Sequence, residues 1–167
     1  MFYKTNIQFD HHKILETFKN IVDYNTPYSN QWTFVGKEDI NDGTGKLNDL
    51  SDAEENYNKL LTVYHGTYLE EVYDKIQTHI NSFRVRFMQL GPKTTYSYHV
   101  DPTPRFHIPL SSNEHSWMII DKKVFEFDNG YLYLIDTTRP HTAINLSMCD
   151  PRIHIVGGYT LKDQTLI

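Results

Sequence analysis

The stretch Tyr98 to Leu110, YHVDPTPRFHIPL, sets two histidines, an aspartate and an arginine among prolines and apolar residues. His99 and Asp101 stand two apart, and so do Arg105 and His107. Strand side chains alternate between faces, so each pair points one way. An imidazole beside a carboxylate is a candidate metal site, and a guanidinium beside an imidazole is a candidate anion site. Taken alone, His99 and Asp101 fit a surface histidine and a turn aspartate ahead of Pro102 as well as they fit a metal site. His141, in DTTRPHTAINL, adds a second imidazole. Two imidazoles and one carboxylate occupy one face of an octahedral ion and leave the opposite positions open. Zinc accepts the same atoms with fewer open positions. Iron(II) is the ion for which open neighbouring positions matter most. Arg152 begins the last apolar run of the chain. An arginine opening a buried strand is costly unless an anion meets it. That anion is either an acidic side chain of a neighbouring strand or the carboxylate of a small bound acid, held by the guanidinium fork.

The elements that must position these residues follow from the spacing of apolar residues. From Phe83 onward, short apolar or alternating runs recur between turn residues: FRVRFMQL, TTYSYHV, RFHIPL, HSWMII, KVFEF, YLYLI, HTAINL and RIHIVGGY. Eight strands at such spacing predict a mainly β fold, a sandwich or jelly-roll barrel. Asn129-Gly130, in FDNGY, predicts a tight hairpin, because both residues tolerate positive φ. The first half reads as helical and irregular. Asp10 is placed to cap a helix running to about Tyr24, with Ile14, Leu15, Phe18, Ile21 and Val22 at helical spacing. Ser51 with Glu54, and Thr67 with Glu70, read as capping boxes opening two further helices. In the second, Leu69, Val72, Tyr73, Ile76 and Ile80 form one stripe suited to packing on a sheet. The two glycines of NDGTGK read as a mobile loop; the spacing is wrong for a phosphate loop. The expectation is one domain over 1–167, with an N-terminal helical and loop region at 1–82 and a jelly-roll core at 83–160.

Composition narrows the function classes. The chain has 167 residues, 39% hydrophobic and 22% charged, with 12 Tyr, 9 Phe and 2 Trp, which suits a folded domain rich in strands. Its net charge of −5, without a basic block, argues against nucleic-acid binding. Cys149 is the single cysteine, so no intrachain disulfide forms. The N-terminus lacks the apolar core of a signal peptide, and no run approaches the ~20 apolar residues of a membrane span. The expected location is the cytoplasm, with no membrane association.

Among the remaining polar residues, Arg105 and His107 share a strand face opposite Phe106, Ile108 and Leu110. That face meets either solvent or a cleft near the metal candidate. His154 shares the face of Arg152, with Tyr131 or Tyr133 as an available hydrogen-bond partner. His11, His12, His65, His79 and His115 read as structural or solvated.

Together, HVDPTPRFHIPL, YLYLIDTTRPHTAIN and RIHIVGGY resemble the iron(II)- and 2-oxoglutarate-dependent oxygenases over roughly residues 83–160. Within them the sequence is most similar to the aspartyl/asparaginyl β-hydroxylase-like group, which includes free-proline hydroxylases. The resemblance implies a double-stranded β-helix of about eight strands with N-terminal helices packed on it. It implies that His99, Asp101 and His141 bind iron(II), and that Arg152 pairs with the far carboxylate of 2-oxoglutarate. Arg105 and His107 would help hold the keto-acid end at the metal. The implied reaction consumes O2 and 2-oxoglutarate, hydroxylates an unactivated C–H bond, and releases succinate and CO2. There are departures. Animal aspartyl/asparaginyl enzymes carry glycine at the place of Asp101. Met88 occupies the place of a small hydroxyl residue that assists the far carboxylate. The C-terminal helical domain of the free-proline enzymes has no counterpart after the last predicted strand. The expected substrate is a small molecule or a peptide, with an amino acid or amino-acid side chain favoured, and Tyr28, Trp32 and the glycine loop are candidate walls. The alternative is a cupin-like, non-catalytic jelly roll that holds a metal or a small acid.

Overall fold

The computed structural model describes residues 1–22 and 30–162. In chain order these form β1 (Phe2–Gln8), α1 (His11–Ile21), β2 (Gln31–Thr33), β3 (Val35–Gly36), β4 (Lys59–Leu60), α2 (Tyr68–His79), β5 (Ile80–Leu90), β6 (Thr94–Thr95), β7 (Arg105–Ser111), β8 (Ser116–Ile120), β9 (Lys123–Phe125), β10 (Tyr131–Ile135), β11 (His141–Asn145) and β12 (Arg152–Leu161). The fold is mainly β with antiparallel sheets and two α-helices. One sheet has six strands in the order β1-β10-β7-β12-β5-β2, a second has four in the order β6-β11-β8-β9, and β3 and β4 form a small pair. No helix among the described residues is long and apolar enough to cross a membrane.

The six-stranded sheet has two unlike faces, set by the period of its central strands. Phe106, Ile108 and Leu110 of β7, Val85 and Phe87 of β5, and Ile153 and Ile155 of β12 join one apolar core with α1 and α2. The alternate residues of the same strands, Arg105 and His107, Arg86 and Met88, and Arg152 and Val156, line a cavity instead. Helix α1 starts where Asp10 accepts a hydrogen bond from the Lys13 amide at 3.0 Å, and it buries Ile14 and Phe18. Helix α2 starts where Thr67 Oγ1 accepts from the Leu69 amide at 3.1 Å, and it buries Leu69, Val72 and Ile76. Glu70 turns back to the Gly66 amide rather than to Thr67, so the capping box is half formed. A second apolar cluster joins the two sheets: Met118 and Ile120 of β8 meet Tyr133 and Ile135 of β10, with Phe2, Phe125 and Phe127 against them.

Several expectations are corrected. The first half supplies four strands as well as helices, and β1 and β2 pair with β10 and β5 to form the two edges of the large sheet. Their short or irregular patterns concealed them. Ser51 opens no helix. Glu54 instead begins a single 3-10 turn, Glu54–Asn56, and is itself buried. The TTYSYHV run makes a ladder only at Thr94–Thr95 and an isolated bridge at His99. Asn129-Gly130 forms no hairpin, because β9 and β10 lie in different sheets. Gly130 has φ of +85°, and its amide donates to the Pro109 carbonyl at 2.7 Å while its carbonyl accepts from the Phe9 amide at 2.8 Å. The turn therefore stitches a crossover between sheets. The tight hairpin lies at Asp121-Lys122, both at positive φ, between the paired strands β8 and β9. Tyr28 lies outside the described residues. Trp32 is buried in the core against Phe18 and lines neither of the cavities described below.

Candidate active site

His99 and His141 are distant in sequence and directly opposed in space. Their backbones exchange both hydrogen bonds, His99 N to His141 O at 3.0 Å and His141 N to His99 O at 2.8 Å. Directly opposed residues of an antiparallel pair put their side chains on one face. The two rings accordingly lie 4.3 Å apart between centroids. Asp101 is fixed by its own amide, which donates to the Thr137 carbonyl at 2.9 Å. One ligand atom from each of His99, Asp101 and His141 lies within 4.8 Å of the others.

Both imidazoles are held in the tautomer a metal requires. His99 Nδ1 meets the Ser97 carbonyl at 2.6 Å, and His141 Nδ1 meets the Arg139 carbonyl at 2.9 Å. A carbonyl only accepts, so each Nδ1 carries a proton and each Nε2 presents its lone pair. Burial also pushes the His141 pKa below the usual histidine value, only partly offset by the Arg139 carbonyl and by Asp101, which keeps the ring neutral. Asp101 Oδ2 accepts from Arg105 Nε at 3.3 Å. Arg105 in turn pairs with Glu54 Oε2 at 2.9 Å, and Glu54 also faces Arg84 Nη1 at 3.6 Å. Thr103 donates to the other Glu54 oxygen. The carboxylate beside the two imidazoles is thus oriented by a buried chain of charges that reaches the 3-10 turn at Glu54–Asn56.

Behind the triad lies a cavity of about 100 Å³, whose lining includes Tyr96, Arg105, His107, Met118 and Arg152. Arg152 is buried, and among the described residues no carboxylate comes within ion-pair distance of it. Its Nη2 donates to His154 Nδ1 at 3.1 Å, while its Nε has no hydrogen-bond partner. Burial pushes its pKa down to about 10, so it stays cationic near neutral pH. His154 Nδ1, accepting from a guanidinium, carries no proton. His107 Nδ1, 3.3 Å from the same atom, must then be the donor there. Burial first, and the Arg152 charge second, hold both histidines well below the usual pKa. Tyr131 and Tyr133 do not serve His154; Arg152 and His107 do. Arg105 Nη1 and the Tyr96 hydroxyl are further buried donors without a partner among the described residues, and both residues line the cavity. Burial raises the Tyr96 phenol pKa, and the Arg152 and Arg86 charges oppose that rise, so the ring lies near both guanidiniums.

A larger cleft of about 600 Å³ adjoins the triad and shares Arg86, Met88, Tyr96, His99 and Asp101 with the cavity. Its outer wall is the glycine loop, represented by Gly45, Lys46, Leu47 and Asp49. That loop is fastened: Arg84 Nε donates to the Gly43 carbonyl at 3.1 Å and Arg84 Nη2 to the Gly45 carbonyl at 2.8 Å. Arg84 has φ of +45° where β12 and β5 shift register, a conformation unusual for a side chain with Cβ. In the sequence Glu54 reads only as part of a capping box, and Arg84, Arg86 and Tyr96 carry no assigned role. Arginines at alternate positions of FRVRFMQL were the available signal, because a buried strand rarely carries two cations on one face. Met88, the residue at the place of a small hydroxyl, lines both spaces.

The model of the aspartyl/asparaginyl β-hydroxylase family matches residues 51–157. The chain belongs to that family. The match covers the residues from Glu54 through the triad to Arg152, leaves the glycine loop outside, and makes this chain a protein of hydroxylase type. No curated protein matches the sequence. In this β-hydroxylase-family chain the match begins ahead of the region identified by resemblance, and so takes in the acidic turn that steadies Asp101.

Proposed function

We propose that this protein is an iron(II)- and 2-oxoglutarate-dependent hydroxylase built on a double-stranded β-helix. The observation that carries the reading is the pairing of an open donor triad with a buried guanidinium that has no acidic partner among the described residues, both lining one small cavity. The residues suit the metal: two Nε2 lone pairs and one carboxylate converge, and each imidazole is already oriented through its Nδ1 proton. They also suit a small dicarboxylate, because Arg152 Nε, Tyr96 hydroxyl and Arg105 Nη1 are donors awaiting acceptors.

His99, Asp101 and His141 would hold iron(II), and the bound metal with the keto acid and O2 would supply the oxidative chemistry that hydroxylates a C–H bond and releases succinate and CO2. The rest is the work of this chain. Arg152 neutralises the far carboxylate of 2-oxoglutarate, and its desolvation strengthens that pairing. The Tyr96 hydroxyl assists it, in place of the small hydroxyl residue that Met88 displaces. His154 fixes the guanidinium by accepting from it, and His107 fixes His154. Arg105 orients Asp101 and keeps Nη1 for the metal end of the keto acid. The apolar surfaces of Met118, Ala143 and Val156 limit water around the reacting groups. Substrate enters through the larger cleft, as a small amino-acid-like molecule or a peptide side chain. A lone cysteine, Cys149, suits a reducing cytoplasm. A non-catalytic acid binder would need Arg152 but not a donor triad with open positions.

The test is succinate release by iron-loaded protein, across a panel of amino acids and peptides, under air and under nitrogen. Oxygen- and iron-dependent succinate release, together with a hydroxylated product, is the expected result. Tight 2-oxoglutarate binding without any succinate would favour the acid binder.

A further inference from the structure

One aromatic ring touches three of the side chains assigned to the keto acid and does not itself line the cavity. Phe127 lies between β9 and β10, in the crossover from one sheet to the other, and is half-buried. The guanidinium carbon of Arg152 stands over its ring, 5.4 Å from the centroid. The His154 ring is 4.8 Å away and nearly perpendicular, at 86°. The His107 ring is 5.8 Å away and nearly parallel, at 20°. Arg152 and His107 line the cavity, whereas Phe127 meets them from outside it.

The crossover is fastened so as to present this ring. The Asp128 amide donates to the Tyr133 hydroxyl at 2.9 Å, and the Ser112 amide donates to Asn129 Oδ1 at 2.8 Å. The Tyr133 ring also packs on Phe127 at 5.0 Å. Glu126 and Asp128, on either side, are exposed, and Asp128 pairs with Lys4 at 2.6 Å. Of three consecutive residues, the two acids stay at the surface and the apolar one meets Arg152. That arrangement has consequences for the cation. A carboxylate in the place of the ring would neutralise Arg152 and occupy donors that a ligand needs. Water there would weaken any pairing by raising the local dielectric. An aromatic face attracts a cation without accepting its N–H groups one by one, and Arg152 Nε is without a hydrogen-bond partner among the described residues. His154 Nε2, which carries the ring proton because Nδ1 accepts, likewise has no such partner there. A perpendicular pair of rings is the arrangement in which the edge of one meets the face of the other.

Resting on the hydroxylase reading, we propose that Phe127 is a positioning residue for the keto acid: it holds Arg152 with His154 and His107, and keeps them dry, without neutralising the charge that takes the far carboxylate. It acts through Arg152 and touches no reacting atom.

The test is calorimetric titration of 2-oxoglutarate into oxygen-free, Mn(II)-loaded protein. Phe127→Leu keeps an apolar cover and removes the π face. It should weaken 2-oxoglutarate by about 2- to 30-fold, the range of one cation–π contact. Phe127→Ala, which also admits water, should weaken it further, and Phe127→Tyr should stay close to wild type. Mn(II) affinity, and the binding of 2-oxobutanoate, which lacks the far carboxylate, should be the same in all four proteins. A merely structural role would move these two readouts with the first. The proposal is overturned if Phe127→Leu binds 2-oxoglutarate as well as wild type. It is overturned equally if Phe127→Tyr falls as far as Phe127→Leu, or if 2-oxobutanoate is weakened as much as 2-oxoglutarate. One measurement needs no variant: nuclear Overhauser contacts from the Phe127 ring to the Arg152 and His154 side chains are expected in the wild-type protein, and their absence overturns the proposal. Failure of the wild type to bind 2-oxoglutarate at all would strike the hydroxylase reading itself, whereas failure of the proposal alone leaves that binding intact and insensitive to residue 127.

Discussion

The two faces of the six-stranded sheet are made by the same strands and do opposite things. Toward the helices, Phe87, Phe106, Ile108 and Ile155 are buried among apolar neighbours, and each contributes to stability by leaving water. Toward the four-stranded sheet, Arg86, Arg105 and Arg152 are equally buried, and each lowers stability unless something compensates its charge. The first face accounts for why the chain folds. The second carries the proposed binding, because a buried cation without an acid partner among the described residues is a demand for a ligand. The difference also explains why the cavity face can be precise: its side chains stand on strands whose register is held from behind by the apolar core.

Perturbing the two faces should separate binding from stability. The largest effect is expected for His99→Ala. Metal affinity, followed by the visible absorption of bound Co(II), should fall more than about 100-fold and succinate release should vanish. The unfolding free energy of the metal-free protein should stay within about 0.5 kcal/mol of wild type, because His99 is exposed. Phe87→Ala attacks the opposite face. It should cost about 3–5 kcal/mol in denaturant unfolding while the surviving folded protein binds 2-oxoglutarate normally. Arg152→Met should lose about 2–5 kcal/mol of 2-oxoglutarate affinity in calorimetry. The same variant, without ligand, should unfold no earlier than wild type, because an uncompensated charge has been replaced by an apolar chain. A fall in ligand-free stability would instead mean that the hydrogen bond from Arg152 to His154 outweighs the cost of the buried charge.

Smaller effects test the supports. Glu54→Gln leaves the shape but removes the charge that orients Arg105, and should weaken metal affinity by about 10–100-fold. The His99 and His141 tautomers, read from ¹⁵N shifts, should not change, because backbone carbonyls set them. Asp10→Ala removes the α1 cap behind the apolar face and should cost about 1 kcal/mol of stability with no effect on metal or acid binding.

Alternation within single strands was legible without coordinates. RFHIPL displayed Arg105 and His107 on one side and Phe106, Ile108 and Leu110 on the other, and the structure divides them that way. The stripe on α2 and its Thr67 cap were equally readable. Glu54 was not, because a capping-box pattern and a buried ion-pair partner use the same residue types. Neither was the crossover at Asn129-Gly130: turn chemistry reports a local bend and not which sheet receives the next strand.

By itself the sequence determined which residue types share a strand face, since side-chain alternation is a local property of the backbone. That was enough to mark His99 with Asp101, and Arg152 at a strand start, as candidates for a ligand site, with a surface pair and an acidic partner left as alternatives. Tertiary structure alone decided that His141 lies opposite His99, that Glu54 reaches Arg105, and that Arg86 and Arg152 form no ion pair with a carboxylate among the described residues. Those outcomes depend on strand pairing across long sequence separations, where backbone hydrogen bonds and the packing of both sheet faces select the register. No local pattern encodes that choice.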